Sequence, residues 1–277
     1  MIREAIELML TPAPKVARAL GYPAEQIAFA ARARRRQADW RSHLEASRAL
    51  TAAAVAALAG PRRRCVVLGS GALLEIDPAL LSDRFEEVVF VDLCHPPFAA
   101  RHWRKRGNLK FMHGDASGLA QAVVSAAQSA RAAGVAPELP EGRPALRLDP
   151  ERCDLVISAN LLTQLAVLPT RYLTRRFGVD AYGVDALDSW ADRMMRAHID
   201  WLRAGFACPI CLISDDEKET IAADGTVEER FPVLPDDLGL RAPDRSWRWD
   251  IAPKGERPDG GVQSRTVKGW IDLFAGR

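Results

Sequence analysis

Apolar and polar positions change their rhythm near residue 60. From Ala24 to Ala59 the chain is rich in Ala, Arg, Leu and Glu and holds no Gly or Pro. That composition predicts a long helical arm with at most one break, ending at Gly60-Pro61. Residues 1–23 predict a short helix followed by a loop carrying Pro12, Pro14 and Pro23. Beyond residue 61, short apolar runs at 64–68, 87–91, 109–112, 153–158 and 208–213 alternate with helix-sized gaps. Near-continuous apolar runs belong to strands buried on both faces, so the pattern predicts a parallel sheet with helices on either side.

The connections add detail. Residues 134–152 contain Pro and Gly without periodicity and predict a surface insertion before the fourth strand. Residues 177–186 predict a flexible segment, a candidate lid, before a helix at about 187–204. Asp224-Gly225 between strand-like flanks signals a hairpin. The runs from Ser246 and from Arg265 predict two final strands, and no internal repeat or low-complexity tract is present.

Candidate chemistry begins where the first apolar run opens into Gly69-Ser70-Gly71 and the second ends on a carboxylate, Asp92. This describes a strand, a glycine turn, a helix start, and a second strand presenting an acid at its tip. Glycines let the backbone approach a ligand, and the acid can hold ribose hydroxyls. Asp92 lies 23 residues after Gly69, near the ~20 expected of a nucleotide-binding βαβ unit. An adenosine-containing cofactor is the expectation. Asp115, after the third run, occupies a comparable edge position; either acid alone reads equally well as a helix cap.

Composition narrows the class. With 277 residues, 48% of them hydrophobic, the chain can bury a sizeable core. The expected organisation is a helical arm or cap at 1–60 and one α/β domain at 61–277. A net charge of +2 disfavours a nucleic-acid partner. No apolar run approaches the ~18 residues of a membrane span. Acids near the N-terminus break the apolar core a signal peptide needs. Five cysteines without dense spacing fit a reducing compartment, so a cytoplasmic protein is expected. Cys208-Pro-Ile-Cys211 has no matching second pair, and the five histidines lack ligand spacing, so no metal is expected.

From about residue 62 to 275 the order of segments resembles a class I S-adenosylmethionine-dependent methyltransferase. The resemblance is carried by Leu68-Gly69-Ser70-Gly71, by Asp92, by the Asn108–Ala116 segment with Asp115, and by the Cys153–Gln164 segment with Asn160. It implies a Rossmann-like, doubly wound, mostly parallel seven-stranded sheet with an antiparallel C-terminal strand. It also implies S-adenosylmethionine as cofactor and methyl transfer to a small molecule. The cofactor-binding residues it implies are Gly69, Ser70, Gly71, Asp92, Leu93, Asp115, Ala116 and Asn160. Asp92 would accept from both ribose hydroxyls, Asp115 from the adenine amino group, and the glycines would face the methionine end. Asn160, Tyr182 and Asp216 are candidates for orienting the acceptor or taking its proton.

Two positions depart from the family pattern. Val67 stands where the usual acid precedes the first glycine, and no third glycine follows Gly71. Glu75 is near enough to replace that acid. Leu74 breaks Gly-x-Gly-x-x-Gly, and no Tyr-x-x-x-Lys is present, which disfavours an NAD-dependent oxidoreductase. His95-Pro96-Pro97-Phe98 follows the second strand and reads as a rigid turn. Arg32, Arg34, Arg35, Arg36, Arg41 and Arg48 crowd the arm as a solvated face; alternatively, the arm folds over the site and offers arginine to an anionic substrate. Trp190, Met194 and Trp201 are spaced as a helix's core face. Two other functions stay open. One is aminocarboxypropyl transfer from the same cofactor, since Gly69-Ser70-Gly71-Ala72-Leu73 is similar to the glycine turn of nicotianamine synthases. The other is a non-catalytic Rossmann-like module that binds a protein partner.

Overall fold

The computed structural model describes residues 2–276. The apolar runs form β1 (Arg64–Leu68), β2 (Glu87–Asp92), β3 (Leu109–His113), β4 (Cys153–Ala159) and β5 (Ile210–Ile221). Neighbouring strands of this set pair in parallel. The central residues of β1, β2 and β4 are buried on both faces, as continuous apolar runs require, whereas β3, at the edge, is only partly buried. Three further strands follow: β6 (Val227–Pro232), β7 (Arg245–Ala252) and β8 (Val262–Trp270). The sheet order is β3-β2-β1-β4-β5-β8-β7, with β6 attached to β5 off this path. β8 inserts antiparallel between β5 and β7. This is a Rossmann-like, doubly wound arrangement with its antiparallel strand at the C-terminal side.

One strand exceeds the expected seven. β5 continues well past residue 213, through a register shift between Asp215 and Glu217, and its outer half pairs with β6 across the Asp224-Gly225 turn. That half is polar and only partly buried, so it carries no apolar run. Glu219 there is held by both Arg230 and Arg248, whose guanidinium groups pull its carboxyl down to about 2.

The N-terminal region folds as α1 (Ile2–Leu10), α2 (Lys15–Leu20), α3 (Tyr22–Arg35) and α4 (Gln37–Ala57), so the long arm breaks once, at Arg36. Trp40, Leu50, Ala54 and Val55 of α4 lie in the same core as Val67, Phe90 and Ile157 of the sheet. The remaining helices are α5 (Pro78–Arg84), α6 (Pro97–Trp103), α7 (Leu119–Ala133), α8 (Val167–Phe177) and α9 (Val184–Gly205). The helix expected directly after Gly71 does not form there. Leu73 adopts a positive φ of 59°, and α5 begins only at Pro78, where Asp77 Oδ1 accepts from the N–H groups of Ala79 and Leu80. Pro96-Pro97 forms the rigid entry to α6. Trp190 and Met194 are buried in the packing of α9, and Cys211 is a free thiol inside the core. No described helix is long and apolar enough to cross a membrane.

Candidate functional site

Chain order reverses between β1 and β4, and at such a switch point the carboxyl ends of the strands leave a crevice. A cavity of about 240 Å³ occupies it. Gly69, Ser70 and Gly71 reach it from the end of β1, and Asp92 and Leu93 from the end of β2. Asp115 and Ala116 follow β3, and Asn160 follows β4. Eight residues chosen from the sequence thus share one cavity.

The glycine turn is held in left-handed conformations, φ 72° at Gly69 and 41° at Gly71. A Cβ at Gly69 would lie 2.8 Å from the Leu161 Cβ, so glycine is required by contact as well as by backbone angle. The turn is tied to β2: the Gly69 N–H donates to the Val91 carbonyl at 3.0 Å, and the Gly71 N–H to Asp92 Oδ2 at 2.8 Å. Asp92 Oδ1 faces the Cys94 N–H at 3.4 Å. Burial pushes the Asp92 carboxyl up to about 6, against the opposing effect of these N–H groups. Ser70 Oγ lies 2.9 Å from His95 Nε2, and burial lowers His95 to about 3, which keeps its ring neutral.

Asp115 does what a capping acid does. Its Oδ1 accepts from the Ser117 N–H and hydroxyl at 2.9 and 2.6 Å, and its Oδ2 from the Ala120 N–H at 2.7 Å. The carboxylate therefore fixes the start of α7 at the cavity wall. Asn160 holds a positive φ of 49° and donates from Nδ2 to Glu75 Oε1 at 3.0 Å. Its Oδ1 is buried with no hydrogen-bond partner among the described residues.

The other two candidates lie elsewhere. Tyr182 packs among the side chains of α7 and α8, outside the cavity lining. Asp216 is paired with Lys268 at 2.7 Å on β8, also away from the cavity.

The fourth wall comes from the arm. Tyr22, Glu25, Gln26, Phe29 and Arg32 line the cavity from one face of α3. The spacing, with steps of three and four, is that of a single helical stripe, a signal present in the sequence but masked by the polar composition of α3. The Gln26 side chain lies where a Cβ on Gly71 would be, 2.7 Å from it. Burial, with Asp115 and Asp92 adding to it, raises the Tyr22 hydroxyl well above its ordinary range. Of the arm's arginines, Arg32 alone lines the cavity. Its guanidinium lies 3.6 Å from Glu256, which Arg35 and Arg36 also approach, at 3.3 and 2.9 Å. Arg48 donates to the Leu74 carbonyl at 2.7 Å, and Arg34 pairs with Glu7 at 3.4 Å. Trp249 and Ile251 of β7 complete the wall. Among the described residues, no group of three His, Cys, Asp or Glu side chains could hold a metal ion.

No family model matches the chain, and no curated protein matches it. Among solved structures it is similar to the N-methyltransferase NodS from Bradyrhizobium japonicum in complex with S-adenosylhomocysteine. That match has 11% identity and a TM-score of 0.36, and covers 81% of this chain and 85% of that one. It is also similar to the 1,6-didemethyltoxoflavin-N1-methyltransferase of Burkholderia thailandensis, at 13% identity and TM-score 0.35, covering 90% of each chain. A third is DhpI in a complex with SAM, at 12% identity and TM-score 0.40, covering 86% of this chain and 94% of that one. The Rossmann-like architecture of this chain rests on its own sheet order and on the antiparallel β8 between β5 and β7.

Proposed function

We propose that this protein binds S-adenosylmethionine in the cavity at the switch point and transfers its methyl group to a small-molecule acceptor. One observation carries the reading: the glycine turn, Asp92, Asp115 and Asn160, chosen from four separate segments, converge on a single cavity at the carboxyl edge of the sheet. The fit is chemical as well as spatial. Gly69 and Gly71 leave the turn bare, Leu93 and Ala116 offer apolar surface, and Asp92 brings a carboxylate among them.

In this reading Asp92 holds the ribose hydroxyls while its other contacts keep the turn in place. Leu93 and Ala116 flank the adenine, and Asp115 fixes the loop that carries Ala116. The cofactor, when bound, supplies an electrophilic methyl on a sulfonium sulfur. The chain's part is to align an acceptor with that group and to exclude water. Tyr22, Gln26 and Phe29 of α3 line the cavity opposite the strand ends, where an acceptor would approach.

Two substitutions test the assignment. Asp92→Ala removes the carboxylate and is expected to weaken S-adenosylhomocysteine binding by about tenfold or more, the worth of a hydrogen bond to a charged group. Asp92→Asn keeps an acceptor for the Gly71 N–H and separates loss of the turn from loss of the charge. Unchanged affinity in both variants would remove the assignment. Product identity distinguishes methyl transfer, which leaves S-adenosylhomocysteine, from aminocarboxypropyl transfer, which leaves methylthioadenosine.

A further inference from the structure

The charges that line the cavity are unevenly matched. Its carboxylates are Glu25, Glu75, Asp92 and Asp115, and each already accepts from a group of the protein. Arg171 donates to Glu25 at 2.7 Å. The Asn160 amide donates to Glu75 at 3.0 Å, and His43 Nε2 lies at the same distance from that oxygen. Asp92 accepts from the Gly71 N–H and Asp115 from the Ala120 N–H. Among the described residues, Arg32 is the one Lys, Arg or His of the lining. Its guanidinium makes no hydrogen bond to a described residue, and its Nε is buried without a partner.

Glu256 does not neutralise that charge. Its Oε1 accepts from Arg36 at 2.9 Å and its Oε2 from Arg35 at 3.3 Å, while Arg32 stands off at 3.6 Å without a hydrogen bond. Three guanidinium groups thus share one carboxylate, and Arg34 turns to Glu7 instead. Of these four arginines only Arg32 lines the cavity. A guanidinium is always charged and presents its N–H donors as a planar fork, the shape that a carboxylate or a phosphate accepts.

Its place along α3 says which ligand would bring the anion. Tyr22 packs into the apolar cluster that holds Leu93, after β2. Gln26 meets the glycine turn, 2.7 Å from a Cβ placed on Gly71. Arg32 lies six residues further on, about 9 Å along the helix axis. There the lining changes to Phe29, Trp249 and Ile251, with the two rings edge-on at 6.1 Å. With the cofactor's methionine end at the glycine turn, Arg32 stands beyond the cofactor, in the space left to the acceptor. The geometry points to an acceptor that carries a carboxylate or a phosphate: Arg32 takes this anion, and the acceptor's apolar body lies against Phe29, Trp249 and Ile251. The cofactor reading supplies the direction in which the acceptor lies; the anion site itself does not depend on it.

Titrations followed through the ligand's own magnetic resonances, which detect weak binding, test the site. Wild type, Arg32→Gln, Arg32→Lys and Arg35→Gln are each saturated with S-adenosylhomocysteine and titrated with benzoate, phenyl phosphate and benzamide. Benzamide keeps the shape of benzoate without its charge. Wild type is expected to bind at least one of the anions about tenfold or more tightly than benzamide. Arg32→Gln removes that preference, and Arg32→Lys, which keeps the charge, retains part of it. Arg35→Gln takes the same charge from the same cluster away from the cavity lining, and keeps the preference. Equal binding of anions and benzamide, binding of none, a preference that survives Arg32→Gln, or an equal loss in Arg35→Gln would overturn the site. S-adenosylhomocysteine and its decarboxylated analogue, titrated into wild type and Arg32→Gln, show whether the anion is the cofactor's own. Arg32→Gln is expected to bind both as wild type does, and a loss confined to the compound with the carboxylate would overturn the acceptor assignment. Failure of wild type to bind S-adenosylhomocysteine would instead count against the cofactor reading, and the three probes on the free protein would still decide the anion site.

Discussion

Among single residues, Asp92 bears most of the proposed chemistry. Burial raises its carboxyl to about 6, above the ordinary value of 3.8. The sign follows directly: below pH 6 the folded protein carries it protonated, and above pH 6 ionised. Ribose hydroxyls donate best to the ionised form, so affinity for S-adenosylhomocysteine is expected to climb between pH 5 and 7 and then level off. One pH unit below the midpoint corresponds to a loss of up to about tenfold. Asp92→Asn should flatten that profile, and a sloping profile in the variant would assign the effect to another group. The same shift bears on stability. A folded-state value above the unfolded one means that ionising Asp92 weakens the fold, so wild type should lose ground to Asp92→Asn as pH rises from 4 to 7. Denaturation of both proteins at the two pH values measures the difference. Gly69→Ala makes a second test. With φ at 72° and Leu161 Cβ 2.8 Å from the new methyl, it is expected to cost about 1–3 kcal/mol, read from a denaturant titration.

The cavity-lining glycines and acids were legible because each follows an apolar run, and the end of a run is a position that a sequence states. His43, Trp247 and Trp249 were not. Their patterns speak of burial in α4 and β7, and nothing in spacing says that two such faces meet behind Glu75. Tyr182 illustrates the reverse: its place in a Gly-containing connection suggests a mobile site residue, yet its side chain packs on the apolar cluster that α7 and α8 share.

At the scale of elements, α4 is the least obvious part of the fold. Its sequence predicts an arm, and the structure makes it a wall of the main core, with Trp40 fully buried against Phe29 and Trp249 at ring-centroid distances of 5.0 Å. Trp40→Ala is therefore expected to cost about 3–5 kcal/mol, visible as a fall in thermal midpoint of roughly 10 °C. A shift of only a degree or two would mean that the arm is peripheral. The strand pattern was legible where strands are short and apolar. It fell short in the outer half of β5, where Asp215 to Thr220 are all polar and carry no apolar signal, and after Gly71, where Leu73 and Pro78 delay the helix.

At the scale of the molecule, the sheet and the N-terminal helices divide the labour. The reversal of strand order makes the crevice, and α3 covers it. Since α3 contributes Tyr22, Gln26 and Phe29 to the lining, a ligand in the cavity should slow amide exchange in α3 along with the loops after β1 and β4. Ligand at about 100 times its dissociation constant should add about 2.7 kcal/mol of stability. Calorimetric titration with S-adenosylhomocysteine and NAD in parallel decides whether the switch-point cavity is a site for the sulfur nucleoside. Micromolar binding of the sulfur nucleoside, about −8 kcal/mol, is expected, and none of NAD. Heat from NAD alone, or from neither, would contradict that assignment.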